Sequence, residues 1–391
     1  MRPRHPRSLS RRPVGLILAA ALATGTLWSC GSPSATPSLS TSVAASATPS
    51  PTPARPSAET SPSAEMAPSA SSQVSPLRDI AGNRLIGTAA ELPQLDTDPA
   101  YAAILAREFD SVTPENSMKW VSVEPAQGQT NFSAADKIVA FAQAHGQKVR
   151  GHTLVWHKQL PAWLTDGTFT PTQLGDILKN HITLEAGRYA GKVYAWDVVN
   201  EVIADDGTPQ VDLWSKGLGP GYIADAFRWA RAADPAAKLY INDFDIEGIN
   251  PKSDAVYNLV KSLRAQGVPI DGVGIQAHLL LQNPFPVGMA DNIKRFTDLG
   301  VEVAITELDV RMPVPATAAK LALQADYYRQ VVAACTAAPK CVGITVWGYT
   351  DKYSWVPYSF PGEGAAALFD QNLAPKPAYN AVLAALTAGA H

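Results

Sequence analysis

The strongest constraint on the fold is an alternation of short apolar runs and helical patterns. The runs start about 25 to 45 residues apart, and this spacing predicts a parallel sheet with a helix after each strand. The predicted strands lie near Arg84–Thr88, Phe109–Val112, Lys148–Thr153, Val193–Val199, Lys238–Asn242, Gly272–Ile275, Val301–Thr306 and Gly343–Val346. The helical stretches between them include Ala134–Gln143, Pro171–Ala190, Ile223–Ala232, Ser253–Ala265 and Ala318–Cys335. Eight such units within 76–391 predict one closed (β/α)8 TIM barrel.

The main alternative fold is an open, doubly wound sheet. Such a sheet normally carries a glycine-rich phosphate-binding turn after an early strand, and the sequence contains no such turn. The closed barrel is therefore the better interpretation.

Polar or aromatic side chains follow almost every predicted strand. They are Glu115, Asn116, His152, Asn200, Glu201, Asn242, Asp243, Gln276, His278, Glu307 and Trp347. Buried polar groups without partners cost free energy, so their repeated placement at carboxyl ends needs a functional reason. In a barrel all these ends meet at one face, which predicts a single shared site at the barrel mouth.

Two glutamates in this set have the arrangement that glycoside hydrolysis requires. Glu201 follows the fourth predicted strand and Glu307 follows the seventh, so both face the barrel opening. One carboxylic acid must protonate the leaving oxygen while the other acts on the sugar ring, and in retaining enzymes the two lie roughly 5–5.5 Å apart. A nearby negative charge would help the acid to keep its proton. A salt bridge or a surface position remains the alternative for any single strand-end glutamate.

Four longer motifs carry a resemblance to a known family. Phe109–Trp120, Arg150–His157, Trp196–Glu201 and Ile305–Asp309 resemble, in this order, the second-, third-, fourth- and seventh-strand motifs of glycoside hydrolase family 10, the xylanases. The resemblance runs from about Leu77 to the carboxyl terminus, so it covers the whole globular part of the chain. It implies a (β/α)8 barrel and a retaining endo-1,4-β-xylanase that acts on xylan and xylo-oligosaccharides without a cofactor or metal.

The same resemblance implies roles for individual residues. Glu201 would be the acid/base and Glu307 the nucleophile. Asn200 would bind the sugar 2-hydroxyl, His278 would contact the nucleophile with Asp309 holding its ring, and Gln276 would orient Glu201 or its neighbours. The implied substrate-binding residues are Glu115, Asn116, Lys119, His152, Trp156, Gln159, Trp347 and Trp355. Trp355 would crowd the place of a glucose hydroxymethyl group, which xylose lacks. Phe244 and Asp245 stand where relatives often have Tyr and Asn.

Three rival functions share features of this sequence. An endoglucanase or a mannanase would carry the same glutamate pair, but Glu115, Asn116, Lys119 and Trp355 argue against both. A non-catalytic carbohydrate-binding barrel is disfavoured because both glutamates are present. A metal-dependent hydrolase could use His152, His157 and His278, but these histidines lack the close spacing of common metal motifs.

The amino terminus predicts export. Residues 1–29 combine an arginine-rich start with the apolar run Val14–Leu27, which is typical of a signal peptide and short for a membrane span. The run leads into Leu27–Gly31, which resembles a bacterial lipobox with Cys30 as the lipidated residue, although Trp28 is unusual there. The alternatives are an ordinary signal peptide with unmodified Cys30, or a twin-arginine route through Arg11 and Arg12.

The remaining composition fits an exported enzyme. Residues 30–75 are rich in Ser, Thr, Ala and Pro, which predicts a disordered linker. Cys335 and Cys341 are close in sequence and are expected to form a disulfide in an oxidising compartment. A net charge of −3 shows no basic excess, so no nucleic-acid partner is expected. We expect a monomer that reaches the membrane only through the possible lipid at Cys30.

Overall fold

A computed structural model describes residues 75–389 of the protein. Its strands are β1 (Leu85–Ala90), β2 (Ser111–Pro114), β3 (Lys148–Val155), β4 (Val193–Asn200), β5 (Lys238–Asp243), β6 (Gly272–Ile275), β7 (His278–Leu280), β8 (Glu302–Pro313), β9 (Cys341–Val346) and β10 (Glu363–Gly364). Eight of these described strands, β1 to β6 with β8 and β9, pair in parallel. The pairing of β9 with β1 closes them into a barrel.

Helices surround the barrel. They are α1 (Leu77–Ile80), α2 (Leu92–Thr97), α3 (Pro99–Glu108), α4 (Trp120–Val123), α5 (Ser133–Ala144), α6 (Ala162–Thr165), α7 (Pro171–Arg188), α8 (Leu213–Leu218), α9 (Tyr222–Ala233), α10 (Pro251–Ala265), α11 (Met289–Asp298), α12 (Ala318–Thr336), α13 (Val356–Ser359) and α14 (Pro377–Gly389). The alternation of strands and helices confirms the predicted (β/α)8 TIM barrel.

Local sequence signals explain where several helices begin. The α7 helix starts with Pro171 after Thr170. The Thr170 hydroxyl accepts a hydrogen bond from the Gln173 backbone N–H, and the Gln173 side-chain oxygen accepts one from the Thr170 backbone N–H. The α10 helix starts in a similar way at Asn250 and Pro251. A side-chain cap satisfies backbone N–H groups that have no partner within the helix, and proline at the first position costs no hydrogen bond.

Two strands extend further than their sequence patterns predict. The β3 strand continues to Val155 and β8 continues to Pro313, so His152 and Glu307 lie inside strands rather than at their ends. Beyond the barrel, β8 is held by parallel pairing with β7 and antiparallel pairing with β10. These partners come from loops whose approach to β8 depends on the tertiary structure.

Several predictions concern the amino-terminal part of the chain. The signal peptide at 1–29, the lipidation candidate Cys30 and the linker at 30–75 lie outside the described residues, apart from the last linker residue. Within 75–389, no helix is both long enough and apolar enough to cross a bilayer. Cys335, near the end of α12, and Cys341, at the start of β9, are joined by a disulfide.

Candidate active site

A cavity of about 760 Å³ opens at the carboxyl ends of the barrel strands. Thirteen of the residues singled out from the sequence line it: Glu115, Asn116, Lys119, His152, Trp156, Gln159, Asn200, Glu201, Gln276, His278, Glu307, Trp347 and Trp355. Asp309 does not line the cavity but lies behind His278. The barrel therefore brings together side chains as far apart in sequence as Glu115 and Trp355.

Glu307 is the most completely enclosed carboxylate of this cavity, with a residue exposure of 5%. Asn242 donates a hydrogen bond from Nδ2 to Glu307 Oε1 over 2.7 Å, and His278 Nε2 lies 3.0 Å from Oε2. His152 Nδ1 is 3.9 Å from Oε1. Burial acts to raise the pKa of Glu307, but the charges of His152 and His278 and the His278 hydrogen bond outweigh it, so the pKa lies below its usual value. Glu307 is thus held in the ionised form.

His278 is fixed between two carboxylates. Its Nδ1 lies 3.0 Å from Asp309 Oδ2, and the same Asp309 oxygen accepts a hydrogen bond from Trp355 Nε1 over 2.8 Å. Burial acts to lower the pKa of His278, but the charge and hydrogen bond of Asp309, together with those of Glu307, raise it to about 10. His278 therefore carries a positive charge beside Glu307 at neutral pH.

Glu201 sits immediately after β4 with an unusual backbone. Its φ is 54°, in the left-handed region that non-glycine residues rarely occupy, and its backbone N–H donates to the Asn242 carbonyl over 2.9 Å. Its Oε2 lies 2.9 Å from Lys158 Nζ, an ion pair that the sequence did not predict. Backbone strain of this kind gathers at functional sites because the surrounding structure must hold it in place.

A network of amides connects the two glutamates. Asn242 Nδ2, which donates to Glu307, also lies 2.9 Å from the side-chain amide oxygen of Asn200, next to Glu201. Gln276 Nε2 is 3.2 Å from the same Asn200 oxygen. Gln276 therefore contacts Asn200, the residue before Glu201. The sequence analysis expected Gln276 to orient either Glu201 or its neighbours. All three amide side chains are buried, so their mutual contacts restrict the geometry of the site.

A second network lies beneath His152. Asp197 of β4 is buried and lies 3.0 Å from His152 Nδ1, and it also forms a salt bridge with buried Arg150 of β3. Burial acts to raise the pKa of Asp197, but the Arg150 charge and the His152 hydrogen bond lower it below the usual value. The sequence motifs contain Arg150 and Asp197, but nothing in their spacing identified this support of His152.

The other side of the cavity is a cluster of polar groups after β2. Lys119 donates from Nζ to Asn116 Oδ1 over 3.0 Å, and Gln159 Nε2 donates to the same oxygen over 3.3 Å. The Lys119 ammonium lies 5.1 Å from the centre of the Trp156 ring, within range of a cation–π contact. Burial, followed by the neighbouring charge of Glu91, raises the pKa of Glu115 to about 7.

Three indole rings wall the cavity. The Trp347 ring centre lies 5.2 Å from that of His152, and the Trp355 ring centre lies 5.0 Å from that of His278. Trp156 forms a third wall beneath the Lys119 ammonium. Rigid apolar faces beside a few polar groups are typical of pockets that bind sugar-sized ligands.

Five lining residues were missed by the sequence analysis: Lys158, Arg311, Tyr358, Ser359 and Phe360. Arg311 belongs to the extension of β8 that the pattern did not predict, and the last three lie in and just after α13. The Arg311 guanidinium donates from Nε to Glu363 Oε2 over 2.8 Å and lies 4.0 Å from the centre of the Phe360 ring. The extension of β8 and the position of α13 bring four of these five groups to the cavity.

The fold and the cavity together define a class of protein. A (β/α)8 barrel with two glutamates facing one open cavity, one of them held ionised, has the arrangement of a carboxylate-dependent glycoside hydrolase. Among residues 75–389, no group of three or more His, Cys, Asp or Glu side chains is arranged to hold a metal ion.

Comparisons with known proteins identify the family. Residues 77–385 match the family described as Glycosyl hydrolase family 10, and the chain belongs to this family, as the sequence motifs predicted. The chain is 48% identical over 313 residues to an endo-1,4-beta-xylanase of Agaricus bisporus, which covers 80% of this chain and 93% of that one. It is 47% identical to endo-1,4-beta-xylanase C of Phanerodontia chrysosporium over 82% of this chain and 80% of that one.

Solved structures agree with this assignment. Xylanase 10B from Thermotoga petrophila, crystallised with xylobiose, superposes with a TM-score of 0.79 at 42% identity. The match covers 81% of this chain and 98% of that structure. Native xylanase 10B from Thermotoga maritima gives a TM-score of 0.77 at 43% identity, over 80% of this chain and 98% of that structure.

Proposed function

We propose that this chain is a retaining endo-1,4-β-xylanase that hydrolyses internal bonds of xylan by double displacement. Glu307 attacks the anomeric carbon and forms a covalent glycosyl-enzyme, while Glu201 protonates the leaving oxygen. The single observation that carries the proposal is the pair of glutamates lining one cavity with Glu307 kept ionised by His152 and His278.

The surroundings of Glu307 suit a nucleophile. Asn242 and His278 bind one carboxylate oxygen each, which fixes the plane of the carboxylate relative to the cavity. The positive charge on His278 favours the ionised form that attack requires. Asp309 contacts the His278 imidazole, and the Trp355 indole donates a hydrogen bond to Asp309. The position of His278 beside Glu307 therefore depends on both residues.

Glu201 serves in both steps. In the first step it gives its proton to the leaving sugar, and in the second it removes a proton from the attacking water. In this proposal the adjacent Asn200 amide, which Asn242 and Gln276 contact, binds the 2-hydroxyl of the reacting sugar, an interaction that strengthens toward the transition state.

Several features support xylan as the substrate. The relatives named above are endo-1,4-beta-xylanases, and one neighbour holds xylobiose. Trp355 is anchored by its indole N–H, which donates to Asp309. We propose that its ring crowds the place where a glucose hydroxymethyl group would project, a group that xylose lacks. Glu115, Asn116, Lys119 and Gln159 offer donors and acceptors for the hydroxyls of the next sugar on the non-reducing side.

A product profile tests this proposal. Purified enzyme should release xylo-oligosaccharides of several lengths from xylan early in the reaction, with far slower action on carboxymethylcellulose and mannan. Release of xylose alone from the start would contradict endo action, and preference for either other polymer would contradict the substrate. Proton NMR of a xylo-oligosaccharide digest should detect the β-anomer first, and an initial α-anomer would contradict double displacement.

We also propose that the enzyme is exported and held at the cell surface. A signal peptide at 1–29, lipidation of Cys30 and a flexible linker at 30–75 would leave a monomeric barrel free to reach its polymer. The test is detergent phase partitioning of the protein expressed in a bacterial host. The wild type should enter the detergent phase and Cys30→Ala should stay in the aqueous phase, whereas equal partitioning would contradict lipidation.

A further inference from the structure

We propose that Lys158 forms a binding site for a carboxylate-bearing branch of the polysaccharide, a uronic acid, on the leaving-group side of the cleft. The proposal rests on the function proposed above, because the role of Glu201 defines which side of the cleft this is. A general acid must lie within hydrogen-bond reach of the leaving oxygen. Lys158 contacts the Glu201 carboxylate directly and is therefore within about one sugar of the leaving group.

Lys158 differs from its neighbours in exposure. Its side chain is 54% exposed, whereas that of Glu201, which it contacts, is 9% exposed. The ammonium lies 5.4 Å from the centre of the Trp156 ring and 5.9 Å from that of Phe244. The lysine is thus positioned by aromatic faces while its charge remains accessible from the cleft.

A side cavity adjoins the main cleft at this point. It has a volume of about 240 Å³, and Lys158, Glu201 and Phe244 line both spaces. His157 and Gln210 line the side cavity and can offer hydrogen bonds. Since this cavity is about a third of the size of the main cleft, it suits a single branch rather than the main chain.

The other cations near the cleft are already engaged. Lys119 is buried against Asn116, Arg311 pairs with Glu363, and Lys252 lies 3.0 Å from Asp243. Asp205 also borders the side cavity, but its carboxylate lies 3.6 Å from Lys252, which offsets part of its charge. Lys158 is the half-exposed cation of this group.

The partner of Lys158 is the residue that must carry a proton in the first chemical step. When Glu201 is protonated, the ion pair with Lys158 loses its negative partner, and the ammonium can bind a substrate carboxylate in a charge-assisted hydrogen bond. An acidic branch would therefore bind Lys158 in the state in which Glu201 carries the proton that it donates.

The test compares two substrates that differ only in charge. Xylo-oligosaccharides with a uronic acid branch are assayed beside the same molecules after reduction of the carboxyl group to an alcohol. We expect the wild type to show a higher kcat/KM for the acidic substrate, and Lys158→Met to lower the acidic-to-neutral ratio by about tenfold. Lys158→Arg should keep most of the preference, and added salt should weaken it in the wild type.

Lys148→Met is the matched control. Lys148 is the exposed first residue of β3, at the opposite end of the strand that precedes Lys158, so the same loss of charge there should leave the ratio unchanged. An unchanged ratio in Lys158→Met, or an equal change in Lys148→Met, would overturn the proposal. Failure of the wild type to cleave linear xylan would instead contradict the proposed function, so the two failures are distinguishable. Circular dichroism of each variant reports folding.

Discussion

Two buried glutamates of this protein have opposite titration behaviour. Glu307 at the barrel mouth is 5% exposed, and Glu185 in α7, outside the barrel, is 0% exposed. The pKa of Glu307 lies below its usual value, whereas burial raises the pKa of Glu185 well above it. Burial alone therefore does not determine the charge of a carboxyl group, because the available partners decide the direction.

The partners account for the difference. Glu307 has an amide and a charged imidazole within 3.0 Å, whereas neither oxygen of Glu185 has a hydrogen-bond partner in the described structure. His181 Nε2 lies 3.3 Å from Glu185 Oε2, but burial lowers the pKa of His181 to about 3. Burial thus favours the neutral form of both side chains. One region stabilises the charge of a carboxylate, and the other favours an uncharged carboxylic acid.

The largest expected effect is at Glu307, the proposed nucleophile. An acid or base group typically accelerates a reaction by about 10²- to 10⁴-fold. Loss of a nucleophile also removes the covalent route. We therefore expect Glu307→Gln to reduce the rate of xylan hydrolysis by at least about 10⁴-fold. The measurement is release of reducing ends from xylan. Glu302→Gln, in the same strand but at the other end of the barrel, is the control and should stay close to the wild type. Residual activity above about one hundredth would contradict the role of Glu307.

A smaller effect is expected from the support behind His278. Asp309→Asn removes the charge that raises the pKa of His278 to about 10, so this histidine should lose its proton at a lower pH. Since hydrogen bonds to charged groups contribute about 1.5–3 kcal/mol, we expect kcat/KM to fall roughly 10- to 100-fold at pH 8. The defect should be smaller at pH 5, where His278 is protonated in both enzymes.

The pH profile of kcat/KM provides this measurement. Asp298→Asn, a carboxylate exposed on α11, controls for loss of one negative charge. A defect of equal size at every pH would indicate that Asp309 acts only on folding or packing.

At Glu185 the expected effect is on stability and has the opposite sign. Its raised pKa means that the unfolded chain ionises at a lower pH than the native protein, so its contribution to stability is complete below about pH 4.5 and is lost as the pH rises. Glu185→Gln cannot titrate and should raise the free energy of unfolding at pH 7 by about 1–2 kcal/mol. Thermal unfolding should show little gain at pH 4 and a larger gain at pH 7, and the same gain at both values would contradict this account.

No effect is expected from a chelator. At the barrel mouth the negative charge of Glu307 is balanced by the imidazole of His278, and the proposed chemistry needs only carboxyl groups and water. Incubation with EDTA followed by gel filtration should leave xylan hydrolysis unchanged. If EDTA abolishes activity and added divalent metal restores it, the charge balance of the site is incomplete without an ion.

The sequence was most informative where one physical requirement repeats along the chain. Each barrel strand must be apolar, so the spacing of apolar runs indicated the eight strands. Each strand must also end near the shared mouth, so the position after a strand indicated residues such as Asn200 and Glu201. It was least informative where a partner comes from a distant loop. Arg311 and Lys158 reach the cleft because β8 is extended by β7 and β10 and because the chain after β3 turns toward Glu201.

The amino-acid sequence by itself predicted the barrel from its hydrophobic period, and its motifs predicted the family and two glutamates that line one cavity. These features are readable from sequence because period and residue type are local properties. The tertiary structure decided which of the buried carboxyl groups bear a charge and which cation faces Glu201. Those properties depend on distances between side chains far apart in sequence, and electrostatic energies change steeply over such distances in a buried site.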